Sequence, residues 1–211
     1  MEKTVLTIET YNMSAKDFEN KFMNLDLYKE NLNSFCRLLK PGSKILDLGC
    51  GPGNVAKFLY ELNRDYTIVG IDLSKEMIKL ARQNVPQNSV TFKVRDIRDI
   101  EIEETTYDAV IASFCIVHLE NSETKNLLTK ISKMLRKNGM LYISCMEGTK
   151  SGFETTSFSD GGNIYFNYYT EEFLTHILEK NQFKILEINR QNYSENDGSI
   201  TTDMFFFACK V

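Results

Sequence analysis

Lys44-Ile45-Leu46-Asp47-Leu48-Gly49-Cys50-Gly51-Pro52-Gly53-Asn54 sets a short apolar run, a glycine-rich turn and the start of a helical pattern in direct succession. The run has strand length and stops at Gly49, and over residues 55–62 the apolar positions return at helical spacing. Strand, tight turn, helix is the context that makes a glycine loop meaningful. Glycine tolerates φ > 0 and has no Cβ to obstruct a ligand approaching the backbone.

Downstream the alternation continues. Residues 67–71 read as a second strand, Ser74 caps a helix through about Arg82, and residues 90–94 are a third strand. Residues 109–112 are a fourth strand, 122–135 a helix, and 140–144 a fifth strand after a turn at Asn138-Gly139. Strands alternating with helices predict a largely parallel sheet covered on both faces, an α/β doubly wound fold. In the tail, Thr170 caps a helix through Glu179. Strands at 183–188 and 203–211 join through the turn-rich Ser194-Glu195-Asn196-Asp197-Gly198, which predicts an antiparallel strand added to the sheet. Upstream, the first 40 residues read as helical, with Ser14 capping a segment through Phe22 and Leu25, Leu32, Phe35, Leu38 and Leu39 recurring before Pro41-Gly42. Residues 1–40 are therefore a helical cap on a single domain that occupies 41–211.

A chain of 211 residues supports one well-buried domain, not two full ones. Net charge is −4 and the basic residues are scattered, so nothing marks a surface for nucleic acid. Met1-Glu2-Lys3-Thr4 opens no signal-peptide pattern and no apolar run reaches bilayer length, so a cytoplasmic protein without membrane contact is expected. Cys36, Cys50, Cys115, Cys145 and Cys209 include no C-x-x-C and sit mostly in apolar stretches, as buried free thiols do. With only His118 and His176 beside them, no zinc-ligand spacing arises, and no metal is expected.

Which ligand the loop suits depends on its neighbours. A dinucleotide fingerprint wants Gly or Ala at its third small position, where this chain has Asn54, and Pro52 removes one N–H from a pyrophosphate site. Asp47 would repel a pyrophosphate, yet it can accept from the ammonium of an amino acid. Asp72, a little over 20 residues beyond the loop, stands where a carboxylate accepts ribose hydroxyls. Asp96, after the third strand, can accept from an adenine amino group, with the Ile97 backbone N–H facing the ring and Leu73, Met77 and Ile97 flanking it. Each carboxylate alone is also a plausible cap or turn residue, but their placement after successive strands points to one site.

Asp47-Leu48-Gly49-Cys50-Gly51-Pro52-Gly53, Gly70-Ile71-Asp72-Leu73-Ser74, the Asp96 turn, Tyr107-Asp108-Ala109-Val110 and Leu135-Arg136-Lys137-Asn138-Gly139-Met140-Leu141 together resemble the class I S-adenosylmethionine-dependent methyltransferases, in their small-molecule branch of the type 11/25 kind. The resemblance covers about residues 10–145 closely and the tail more loosely. It implies a Rossmann-like seven-stranded sheet whose last strand is antiparallel. It also implies S-adenosylmethionine as cofactor, S-adenosylhomocysteine as product, and a small-molecule methyl acceptor reacting at O, N or C. Tyr11, in a leader where Phe18 replaces a second tyrosine, would close over the methionine end.

Methyl transfer asks for alignment and water exclusion more than for acid–base strength. Ser113, Phe114 and His118, past the end of the fourth strand, should border the methyl group. His118 is the candidate base, since imidazole titrates near neutrality, though a structural hydrogen bond would also explain it. No Asn/Asp-Pro-Pro follows the fourth strand and no Pro-Cys occurs, which argues against base-amino and cytosine-carbon methylation and leaves Cys115 as packing. Residues 147–169, with Phe153, Phe158, Tyr165, Phe166, Tyr168 and Tyr169 around Gly161-Gly162, read either as a substrate lid or as a hairpin with its aromatics packed on the domain. A SAM-binding module without turnover and a NAD(P)-dependent oxidoreductase remain as other readings, and the state is monomer or homodimer.

Overall fold

The computed structural model describes residues 2–86, 90–100, 107–159, 161–194 and 198–211. Its strands are β1 (Lys44–Leu48), β2 (Thr67–Asp72), β3 (Val90–Val94), β4 (Tyr107–Ser113), β5 (Leu135–Met146), β6 (Ser151–Thr155), β7 (Asn163–Asn167), β8 (Phe183–Ser194) and β9 (Ile200–Lys210). The helices are α1 (Glu2–Met13), α2 (Ala15–Phe22), α3 (Lys29–Arg37), α4 (Asn54–Glu61), α5 (Lys75–Asn84), α6 (Asn121–Met134) and α7 (Glu171–Lys180).

Among the described residues, seven strands form one sheet in the order β3-β2-β1-β4-β5-β9-β8. Strands β3 through β5 run parallel, and β9 lies antiparallel to both neighbours, β5 and β8. The expected doubly wound sheet with an antiparallel last strand is therefore present. β1 shows why an apolar run becomes a central strand: Ile45, Leu46 and Leu48 are all buried, because helices cover both faces. One core packs Leu46, Leu48 and Val110 against Leu128, Ile131, Leu174 and Ile177, which are residues of α6 and α7. The opposite core packs Ile45, Ile68 and Ile111 against Phe35, Leu59 and Ile78 of α3, α4 and α5. The strand order reverses between β1 and β4, and a crevice opens there beyond the carboxyl ends of the strands.

Ser74 and Thr170 cap as their spacing predicts, accepting from Met77 N at 3.2 Å and Phe173 N at 3.2 Å. Ser14 does not: it makes no side-chain cap hydrogen bond, and α1 already extends from Glu2 before it. The turn expected at Asn138-Gly139 is a bulge inside β5. Asn138 takes φ of 63° while the register steps from Tyr107 opposite Leu135 to Ala109 opposite Met140. The segment 147–169 contains the antiparallel hairpin β6–β7, one of the two forms its sequence allowed. Of the turn expected at 194–198, residues 195–197 lie outside the described residues, as do Met1 of the amino-terminal motif and Asp160 beside Gly161.

Candidate active site

The loop after β1 is held open by positive backbone angles, φ of 61° at Gly49, 52° at Gly51 and 84° at Gly53. At Gly49 space forbids a side chain as well, since a Cβ there would stand 2.4 Å from Cys115 Cβ. Cys115 is accordingly a buried packing residue, its thiol pushed far above the ordinary range by burial and by the charges of Asp47 and Asp72. Gly53 supplies the N-cap of α4.

Every other residue expected from the sequence at the cofactor, together with His118, lines a single cavity of about 620 Å³, a volume in the range of small-molecule sites; Gly53 does not line it. Two carboxylates flank the loop, Asp47 buried and Asp72 half-buried. Asp72 accepts from Gly51 N at 2.9 Å and Ser74 N at 2.8 Å, which fixes the loop. Burial raises its pKa, and those backbone donors pull it back. Asp47 is different: it is 1% exposed, and neither oxygen has a hydrogen-bond partner among the described residues. Burial, with the Asp72 charge added, pushes its carboxyl up to about 8.

Asp96 sits at the wall as expected, but with a partner the sequence did not suggest. Arg98 grips its carboxylate at 2.6–3.0 Å through three N–H contacts and reaches on to Glu123 at 2.9 Å and Thr4 Oγ1 at 3.1 Å. Met77 is fully buried in the wall, while Leu73 and Ile97 are half-buried beside it.

The roof comes from the leader and the hairpin. Tyr11 stacks on Phe158 with ring centroids 5.8 Å apart, and Phe18 and Phe22 meet Phe158 edge-on at 5.1 and 5.7 Å. Backbone and side chains tie the two parts: Thr10 Oγ1 donates to Asn163 O at 3.1 Å, and Tyr165 N donates to Thr7 Oγ1 at 3.0 Å. Under the roof, His118 ends a single 3-10 turn (Ile116–His118). Its Nδ1 lies 2.9 Å from the Tyr165 carbonyl and its Nε2 3.1 Å from the Tyr11 hydroxyl. A carbonyl only accepts, so Nδ1 carries the hydrogen and Nε2 accepts from Tyr11. Burial lowers the imidazole to about 4. Tyr169, buried behind the turn, places its hydroxyl 2.8 Å from both the Ile116 and Leu119 carbonyls and 2.7 Å from Thr124 Oγ1. Ser113 lies 3.3 Å from Ser144, Oγ to Oγ, and Phe114 donates its N–H to Ser144 Oγ at 3.0 Å. Phe114 holds φ of 50°, a left-handed conformation that costs a non-glycine residue about 1–2 kcal/mol.

Two wall residues escape a local reading of the sequence. Tyr28 donates to Asp203 Oδ2 at 3.0 Å across 175 residues of chain. The only available sequence signal was a charged residue opening the apolar run Met204-Phe205-Phe206-Phe207-Ala208. Among the described residues, no group of three His, Cys, Asp or Glu side chains is placed to hold a metal ion, and no helix is long and apolar enough to cross a membrane.

Comparison with known proteins is consistent with this geometry. A family model for the methyltransferase domain matches residues 45–139. The chain is 30% identical to the ubiquinone/menaquinone biosynthesis C-methyltransferase UbiE of Wigglesworthia glossinidia brevipalpis, over 90% of this chain and 85% of that one. For two other curated methyltransferases, the chain spans about half their length, 50% and 49%. In fold it is similar to the Burkholderia thailandensis 1,6-didemethyltoxoflavin-N1-methyltransferase solved with 1,6-didemethyltoxoflavin and S-adenosylhomocysteine, at a TM-score of 0.73 and 18% identity over 100% of this chain and 89% of that one. The magnesium protoporphyrin IX methyltransferase of Synechocystis PCC 6803, solved with S-adenosylmethionine, gives a TM-score of 0.73 at 17% identity over 100% and 98%. With a methyltransferase relative aligned along most of both chains, and the glycine loop and acidic strand ends in their expected order, the chain belongs to the class I S-adenosylmethionine-dependent methyltransferase family.

Proposed function

We propose that the protein transfers a methyl group from S-adenosylmethionine to an oxygen, nitrogen or carbon atom of a small-molecule acceptor. The observation that carries this reading is Asp47, a carboxylate buried in the cavity wall with no donor for either oxygen among the described residues. A buried carboxylate in that state is costly, and an amino-acid ammonium supplies charge and N–H groups together. The rest of the set fits as well. Asp72 has lone pairs beyond those taken by Gly51 and Ser74 to accept ribose hydroxyls, and at Gly51, among the described residues, only the Phe18 ring lies near the place of a Cβ, at 3.7 Å. Asp96 is fixed by Arg98 through both oxygens in the wall beside Leu73, Met77 and Ile97, where an adenine amino group would share an oxygen with that clamp.

When bound, the cofactor supplies a methyl group on a sulfonium, a strong electrophile. The chain's own residues then align and desolvate. Tyr11, Phe18 and Phe158 exclude water from above, with α1 and the β6–β7 hairpin acting together as the lid, and Phe114 forms a rigid wall below. A buried imidazole near 4 is a poor base at neutral pH, short by roughly three units, or about 4 kcal/mol. His118 therefore serves best by holding Tyr11 in the roof through Nε2. The acid-rich cavity wall and the net charge of −4 favour a metabolite over nucleic acid, and five unpaired cysteines favour the reducing cytoplasm.

The test is incubation with methyl-labelled S-adenosylmethionine and a fractionated metabolite extract, beside thermal-shift titrations with S-adenosylhomocysteine and NADH. Label moving into a small molecule supports the reading. S-adenosylhomocysteine binding without labelled product favours a binding module, and a response to NADH alone favours an oxidoreductase.

A further inference from the structure

Asp203 is 3% exposed, yet it stands in the wall of the cavity near the start of β9, opposite Met146 at the end of β5, and on the same face of the strand as Phe205. Its described partners include the Tyr28 hydroxyl at 3.0 Å. Tyr28 in turn packs its ring on Phe114 at 5.1 Å and on Phe205 at 6.0 Å. A carboxylate thus stands beside an aromatic cluster that includes Phe114, the residue that forms the floor of the methyl site. Such a setting suits a cation, which gains from the carboxylate and, where it meets a ring face, from the ring as well.

Charge along the rest of the wall argues the same way. Among the described residues it carries five carboxyl groups, Asp47, Asp72, Asp96, Glu154 and Asp203, and with Asp47 mostly protonated before ligand binds, the other four face three basic side chains. Those three are occupied: Arg98 is bound to Asp96 and Glu123, Lys150 lies 3.1 Å from Glu154, and Lys21 donates to the Ser157 hydroxyl. An anionic acceptor would enter against this field, and a cationic one with it.

We propose that Asp203, with Tyr28 and Phe114, is a recognition site for an amine of the methyl acceptor, so that the substrates are small amines and not carboxylates or phosphates. The proposal rests on the methyltransferase reading of the same cavity. Held as an ammonium, the recognised nitrogen has no lone pair with which to attack. Asp203 is therefore a binding residue, and the methyl group goes to another atom of the acceptor.

The test uses the full chain saturated with S-adenosylhomocysteine. Calorimetric titrations follow phenethylamine and tryptamine, each beside the carboxylate of the same skeleton. The amines should bind at least about tenfold more tightly than their carboxylates, and D203N should weaken the amines by at least about tenfold while leaving S-adenosylhomocysteine affinity unchanged. Carboxylates binding as well as amines, no amine binding, or an unchanged amine affinity in D203N overturns the proposal. The comparison within the wild-type protein needs no variant, so it decides the matter even if D203N does not fold. Failure of S-adenosylhomocysteine itself to bind overturns the methyltransferase reading beneath it, a distinct result.

Discussion

The Tyr11 hydroxyl lies 3.1 Å from His118 Nε2, joining the first helix to the turn after the fourth strand across 107 residues of sequence. That bond and the Tyr165 carbonyl together assign one neutral tautomer, and burial holds the ring in it. In the ligand-free protein, nitrogen NMR should report His118 as neutral with the hydrogen on Nδ1 at pH 6. Its folded pKa is depressed below the ordinary 6.5, so its stabilising contribution is complete above 6.5 and is lost as pH falls through about 4. Tyr11→Phe should cost about 1 kcal/mol in chemical denaturation. An imidazole titrating near 6.5 in the wild-type protein contradicts the assignment.

Asp47 predicts a proton count. With its carboxyl near 8, it is mostly protonated at pH 7 before ligand binds, and an ammonium beside it would favour ionisation. Uptake of S-adenosylhomocysteine at pH 7 should then release close to one proton, read from calorimetry in buffers of different ionisation enthalpy. Asp47→Asn should bind the ligand poorly and release none. The pKa is raised, so the stability associated with the protonated group is complete below 3.8 and is lost as pH rises through about 8. The same variant without ligand should accordingly be more stable than wild type by about 1–3 kcal/mol at pH 8 and above, and little changed at pH 4. A buffer-independent binding enthalpy in the wild-type protein defeats the prediction.

Gly49 and Gly42 separate backbone strain from steric exclusion. Both have positive φ, 61° and 75°, but an added Cβ at Gly42 meets nothing within 4 Å, whereas at Gly49 it would overlap Cys115. Gly42→Ala should cost about 1 kcal/mol and leave S-adenosylhomocysteine affinity intact. Gly49→Ala should cost about 2–3 kcal/mol and displace the loop, with loss of ligand binding. Equal losses from the two variants would mean that contact with Cys115 is unimportant.

Features set by neighbouring residues were legible in the sequence. The loop after β1, the cap at Ser74 and the acidic strand end at Asp72 depend on chemistry within a few positions, and each stands where the spacing put it. Ser14 failed as a cap because α1 runs almost to it, through Met13, and its φ of −101° and ψ of 15° lie outside the extended region a capping residue takes. The bulge at Asn138 was invisible because it reflects pairing of Leu135 with Tyr107, a partner 28 residues away. The Glu123 end of the Arg98 bridge and the Tyr28–Asp203 bond were hidden for the same reason, whereas the Arg98 clamp on Asp96 is local, two residues away, and spacing alone did not single it out. Glu123 and Asp203 approach their partners only after helix and sheet have packed. Periodicity records which residues are buried, not which distant residues they meet.

Thr10 and Asn163 close the roof with a hydrogen bond between residues 153 positions apart. During synthesis at about 5–20 residues per second, α1 would leave the ribosome roughly 8–30 s before the strand it must grip exists. The glycine loop and its acidic neighbours can be in place well within that interval, with the cavity still open to water. The roof is thus closed late, and β9, which packs Phe205 on Tyr28 and sets Asp203 in the cavity wall, is made later still.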